Sequence, residues 1–156
     1  LPIIGYNPDD GFKIGATNVN TDYGFERNPF TNKHILSAAY YFSTQGYDLS
    51  YSGEFANVVG DLNFGLDAKF NSPNYAINFF GYGNSTPNSE ADDDDGFDAS
   101  LDYNRVRIRT FKVMPSLVWK GNLGANFKAG IFFESNEVDP TSGRFLNDVT
   151  NVSNAK

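Results

Sequence analysis

Tyr47-Asp48-Leu49-Ser50-Tyr51-Ser52-Gly53-Glu54-Phe55 and Leu62-Asn63-Phe64-Gly65-Leu66-Asp67-Ala68-Lys69-Phe70 decide how this chain reads. In the first run Tyr47, Leu49, Tyr51, Gly53 and Phe55 hold one parity, and Asp48, Ser50, Ser52 and Glu54 hold the other. In the second, Leu62, Phe64, Leu66, Ala68 and Phe70 alternate with Asp61, Asn63, Gly65, Asp67 and Lys69. A strand sends successive side chains to opposite faces, so each run has one apolar face and one polar face. Each run is also long for a soluble strand, and matches the ~9–11 residues that a tilted strand needs to cross a bilayer. Length and alternation together predict the wall of a transmembrane β-barrel.

The same pattern extends in both directions. We expect an all-β antiparallel meander of about seven long strands, at residues 11–20, 34–44, 46–57, 61–71, 75–83, 101–120 and 124–136, with the whole chain 1–156 as one partial barrel domain. The second strand carries Leu36, Ala38, Tyr40 and Phe42 on one face; the last carries Phe127, Ala129, Ile131 and Phe133. No helical period of useful length competes. Within 101–120 the parity slips: Val106 and Ile108 hold one phase, Leu117 and Trp119 the other, with Pro115 between. A proline beside a phase slip predicts a bulge in one long strand. Thr44–Gly46, Asn71–Asn74 and Gly121–Gly124 read as tight turns on one side of the sheet, and Thr21–Lys33 and Asn84–Ser100 as long loops on the other, with Asn57–Gly60 a short loop among them.

Composition bounds the function. The 156 residues include no Cys, which removes disulfides, thiolate metal sites and a Cys nucleophile. A mean hydropathy of -0.43 understates a barrel strand, which carries its apolar residues at alternate positions. Aromatic residues make up 16% of the chain, with 15 Phe and 9 Tyr, as interfacial girdles require. The net charge is -7, but Glu90, Asp92, Asp93, Asp94, Asp95 and Asp98 supply six of the negative charges, so the remainder is close to neutral. No basic nucleic-acid surface is present. No signal peptide opens the chain, which is read as processed or as beginning inside a longer protein.

Site residues follow from parity. The outward, lipid-facing set is Leu36, Tyr40, Phe42, Leu49, Tyr51, Phe55, Leu62, Phe64, Leu66, Phe70, Val106, Ile108, Phe127, Ile131 and Phe133. An arginine on a lipid face costs roughly 2–4 kcal/mol near the midplane. Arg105, Arg107 and Arg109 are therefore expected in the lumen, with Asp48, Glu54, Asp61, Asp67 and Lys69. The bland alternative for that face is a solvated surface of a soluble β-sandwich, which alternates in the same way.

Three segments add a resemblance. Gly5-Tyr6-Asn7-Pro8-Asp9-Asp10-Gly11, Tyr23-Gly24-Phe25-Glu26-Arg27-Asn28-Pro29-Phe30 and Asn78-Phe79-Phe80-Gly81-Tyr82-Gly83-Asn84-Ser85-Thr86 together resemble the barrel of the BamA/TamA superfamily, the bacterial surface antigen family. The likeness spans residues 3–146 and is strongest to the variant associated with calcineurin-like phosphoesterase domains. It implies a Gram-negative outer-membrane barrel of about sixteen strands, non-enzymatic, that inserts or translocates outer-membrane proteins. It also implies a weak seam whose exposed strand edges template incoming strands. The implied partners are outer-membrane lipid, the remaining strands of the same barrel or another chain, and other outer-membrane assembly proteins. A Val-Arg-Gly-Tyr-like loop motif and a terminal aromatic residue are missing, as are POTRA modules, which fits the N-terminal part of such a barrel. The alternatives are a passive, porin-like or structural barrel, and a soluble carbohydrate-binding sandwich.

Other chemistry is weaker. Asp92, Asp93, Asp94 and Asp95 before Gly96 invite a calcium loop, but EF-hand spacing would put Ala91 at the first ligand position and Asp102 at the last, so a solvated loop is the simpler reading. His34, the single histidine, excludes a multi-histidine metal site within the chain and reads as an interfacial polar residue. The many His and Asp ligands of a phosphoesterase are absent, and no cofactor is expected. Gly81 and Gly83 precede no helix and form no nucleotide fingerprint. The Asn78–Asn84 run reads equally as close backbone approach or as girdle with bulges. Trp119 reads as a membrane-interface anchor, with sugar stacking as the lesser alternative.

Overall fold

The computed structural model describes residues 1–7, 11–25, 30–79, 103–139 and 142–147. Its strands are β1 (Pro2–Asn7), β2 (Gly11–Asp22), β3 (Asn32–Tyr41), β4 (Gly46–Val59), β5 (Leu62–Asn78), β6 (Arg105–Lys120), β7 (Asn126–Gly130) and β8 (Phe133–Asp139). They form one antiparallel sheet in meander order, β1 through β7, with β8 also paired to β6. The protein is all-β, as the alternating runs require.

β7 and β8 are one line of chain. Ser116 pairs with Gly130 and Val113 with Phe133, so the register against β6 is the same on both sides of the gap at 131–132. Pro115 explains the gap. Its carbonyl accepts the Ile131 N–H at 3.0 Å, but proline has no N–H to return. In an antiparallel ladder both groups of a residue point to the same neighbour. The missing bond therefore falls on the β7–β8 side, while pairing to β5 runs unbroken through Leu66 and Pro115.

Several expectations are corrected here. The run at 61–71 and the described start of the run at 75–83, as far as Asn78, are a single strand, and Asn71–Asn74 is an irregularity within β5 rather than a turn: Asn71 pairs with Thr110 and Tyr75 with Ile108. Two extra residues on the β5 side leave its parity unchanged. β6 begins at Arg105 and carries no bulge at Pro115. β4 runs on to Val59, with its own irregularity after Phe55, where Asn57 takes a left-handed backbone (φ 53°). Gly60 and Asp61 then form a two-residue turn, and Gly60 supplies the positive φ (58°) such turns need. β1 lies outside the seven expected strands and pairs along the edge of β2. With β5 continuous, the β3–β4 and β6–β7 turns fall at opposite ends of the sheet, so the tight turns do not share one side.

No second sheet stacks on this one among the described residues. The only apolar side chains buried there are Val106 and Val118. A β-sandwich would bury its Phe and Leu rows between two layers, and these rows are not so buried. Nor is any helix long and apolar enough to cross a membrane among the described residues.

Beyond the β3–β4 turn, β5, β6 and β8 continue as a three-stranded extension. Asp48, near the start of β4, pairs with Asn71, whereas β5 goes on to Asn78 opposite Arg105. The Phe79 N–H carries the ladder one step further, to the Asn104 carbonyl. There the Phe145 ring packs 6.1 Å from Phe79 and 5.9 Å from Tyr103, which folds the 142–147 segment back onto the extension.

Candidate membrane-facing surface

Register assigns every strand residue to one of two faces, because directly paired residues point the same way. On the first, the aromatic face, lie Phe12 and Ile14 of β2, Leu36 and Tyr40 of β3, and Tyr47, Leu49, Tyr51 and Phe55 of β4. Leu62, Phe64, Leu66 and Phe70 of β5 join them, then Phe111, Val113, Leu117 and Trp119 of β6, then Phe127 and Phe133. Phe42 and Ile131 continue the same rows. Phe42 stacks on Phe12 (5.8 Å) and Tyr40 (5.3 Å). Thirteen of the residues expected to face lipid are thus brought together.

This face is open. Phe127 is 65% exposed, Ile131 63% and Leu36 56%, whereas on the opposite, polar face Ser116 is 4% and Asn63 8% exposed. The apolar side is the more exposed one and the polar side the more buried one, the reverse of a sheet packed on a core. Contiguous apolar surface of this extent marks a surface that meets a partner or a membrane.

The apolar band has a constant height over three strands. It runs Tyr47–Phe55 on β4, Leu62–Phe70 on β5 and Phe111–Trp119 on β6, nine residues each with an aromatic ring at one end at least. Nine residues extend about 27 Å along a strand, or about 20 Å of height at barrel-like tilt, close to a lipid-facing band. On β2 the band shrinks: Phe12, Ile14 and Ala16 are followed on the same face by Asn18, Asn20 and Asp22. His34, opposite Asn20, belongs to this polar corner, where its Nδ1 lies 2.9 Å from the Tyr51 hydroxyl and its ring meets Phe55 edge-on.

The polar face is cross-braced. Asp48, Glu54, Asp67 and Lys69 lie together on it. Tyr41 donates to Asp48 at 2.7 Å. Lys128 of β7 reaches over β6 to Asp67 at 2.6 Å, and Lys120 of β6 reaches over β5 to Glu54. Asn63 donates to Glu54, and Ser52 to Asp67, both at 2.6 Å. Lys112 pairs with Glu134 at 3.2 Å. Bridges that skip a strand suit a surface curved inward on itself. Lys112, Lys120 and Lys128 were not among the expected charged residues. Their parity pointed to this face, but only register reveals the carboxylates they meet.

Two groups of expected residues change sides. Arg105, Arg107 and Arg109 share the aromatic face with Phe111 and Trp119, not the polar face with Asp48, Glu54 and Asp67. Val106 and Ile108 lie on the polar face instead of the apolar one. The reason is an exchange of polarity along the sheet. Past the row Asn71–Thr110–Asn136, the aromatic face turns charged, with the three arginines, Glu137 and Asp139, while Ile77, Val106, Ile108 and Val138 turn the other face apolar. The parity slip in the sequence is this exchange; it needs no inserted residue. Arg109 sits beyond the band, where the lipid-face penalty falls to about 0–1 kcal/mol. Asp61 occupies the Gly60–Asp61 turn and belongs to neither face.

Of the Asn78–Asn84 segment, Asn78 ends β5 and Phe79 joins the ring cluster; residues 80–84 lie outside the described residues, as do Asp92–Asp95. No group of three or more metal-ligating side chains occurs among the described residues. Comparison with protein-family models, with characterised proteins and with solved structures finds no match to this chain.

Proposed function

We propose that this sheet is a wall section of an outer-membrane β-barrel of the BamA-like class, with its aromatic face in lipid, its polar face toward a hydrated lumen, and a role in inserting outer-membrane proteins. The observation that carries the membrane part is the exposed apolar band of constant height, backed by an enclosed and cross-braced polar face. The remaining strands come from the same barrel or another chain, since an open edge in hydrocarbon leaves backbone groups unpaired.

The narrowed band at β2 favours insertion over a passive barrel. A short apolar stretch thins the adjacent bilayer. Thinned lipid lowers the barrier for another strand to enter the bilayer beside the barrel. The resemblance of three sequence segments to the BamA/TamA barrel supports the same assignment.

Trp119, the only tryptophan of the chain, tests the membrane reading directly. In vesicles containing brominated lipid its fluorescence should be quenched, most strongly by bromines near the headgroup end of the acyl chain. Unquenched fluorescence rejects the membrane reading. For the insertase role, proteoliposomes holding the full-length protein should accelerate folding of a client barrel over empty vesicles; an unchanged rate leaves a passive barrel.

A further inference from the structure

We propose that the aromatic face holds a binding site for one phosphorylated lipid, with its phosphate between Arg107 and Arg109 and an acyl chain lying along the Tyr47–Phe70 furrow. The inference rests on the membrane reading above and adds a specific ligand to it.

Three observations converge. The first is position. Arg107 and Arg109 stand two residues apart on one face, about 7 Å from each other along the strand, directly beyond the apolar band. That is the depth of lipid phosphates on a barrel whose band ends at Phe70 and Phe111. Guanidinium groups bind phosphate through paired parallel N–H donors, which lysine cannot do.

The second is a cavity of about 440 Å³ that brings both arginines together with Thr44, Tyr47 and Phe70. Tyr47 and Phe70 form its floor, with ring centroids 5.8 Å apart. The Thr44 hydroxyl is buried in its wall with no hydrogen-bond partner.

The third is continuity. A shallower apolar furrow of about 130 Å³ runs on from Phe70 between Leu49 and Phe111. A chamber holding two arginines beside an apolar furrow, with Phe70 lining both, suits an amphiphile and not a free anion. Two carboxylates share this face. Glu137 pairs with Arg109 at 2.9 Å, but both side chains are well exposed, at 68% and 47%, and an exposed pair yields readily to a better ligand. Asp139 is the register partner of Arg107.

The test is native mass spectrometry of the detergent-solubilised full-length protein titrated with three probes: phosphatidylglycerol, diacylglycerol with the same chains, and inorganic phosphate. Phosphatidylglycerol should bind at least tenfold more tightly than diacylglycerol, and a tenfold excess of inorganic phosphate should not displace it. Arg107→Ala with Arg109→Ala should weaken phosphatidylglycerol at least tenfold, Arg107→Lys and Arg109→Lys each about threefold, and Lys13→Ala on the opposite face not at all. Should the double variant fail to fold, Arg107→Lys and Arg109→Lys decide. Equal binding of the two lipids, ready displacement by phosphate, or wild-type affinity in the folded variants overturns the proposal. Trp119 quenching on the same preparations separates the two failures: quenched tryptophan with arginine-independent binding sinks the lipid site alone, and unquenched tryptophan sinks both.

Discussion

Replacing Leu66 by arginine puts a guanidinium at the middle of the outward apolar row of β5, four residues from Leu62 and four from Phe70. Leu66 pairs with Gly53 on one side and Pro115 on the other, so no carboxylate stands beside it on that face. If the band spans about 20 Å of membrane, Leu66 lies about 10 Å from either interface. An arginine at that depth costs roughly 2–4 kcal/mol. The same substitution at Leu62, on the same strand and face but at the band's edge, costs about 0–1 kcal/mol. The difference of about 1–4 kcal/mol corresponds to a drop of roughly 5- to 700-fold in the folding equilibrium of Leu66→Arg relative to Leu62→Arg. Ser52→Arg on the polar face gives the control. Ser52 donates to Asp67 at 2.6 Å, so the new cation meets a carboxylate and should change stability by under about 1 kcal/mol. The assay is urea-dependent folding of the full-length protein into phosphatidylcholine vesicles, followed by circular dichroism. Equal costs at positions 66 and 62 would refute the placement of this face in hydrocarbon, because depth would then have no effect.

Pro115→Ala restores an N–H opposite the Ile131 carbonyl. The added hydrogen bond, about 0.5–1.5 kcal/mol, is offset by about 0.4–1 kcal/mol of regained unfolded-state entropy, so stability should move by under about 1 kcal/mol. The readout is hydrogen exchange, which should find the new amide at 115 protected; free exchange there would contradict the continuous β7–β8 line. On the polar face, a double-mutant cycle of Glu54→Gln and Lys120→Met should give a coupling of about 0.5–1 kcal/mol that shrinks in high salt, and a coupling indistinguishable from zero would mean that the strand-skipping bridge is not formed.

Much of the sheet could be read before any coordinates because β4 and the first half of β5 alternate without interruption from Tyr47 to Phe55 and from Leu62 to Phe70. Strict alternation fixes both the strand and its faces. Reading failed where local composition and global pairing disagree. Asn71-Ser72-Pro73-Asn74 has the composition of a turn, yet pairing to β6 on both sides carries β5 through it as two extra residues. In β1, Ile3 and Ile4 are adjacent, so no alternation announces a strand, and only the partner β2 makes it one. The arginines of β6 were assigned to the wrong face for a different reason. Parity gives a face only while each face keeps one chemistry, and this sheet trades chemistries at Thr110. The lipid penalty against an outward arginine applies at a bilayer midplane, whereas register puts these side chains past the end of the apolar row at Phe111.

In the proposed membrane setting, that trade fixes how deep the sheet sits. Moving it two residues in one direction would drag Arg109 into oil; moving it two in the other would lift Phe70 and Phe111 into water. Either displacement is opposed by the side chains that meet at one row, so the row works as a waterline drawn on the protein itself. A barrel built with this wall has its vertical setting written into a single β-ladder, independent of any loop or neighbouring protein.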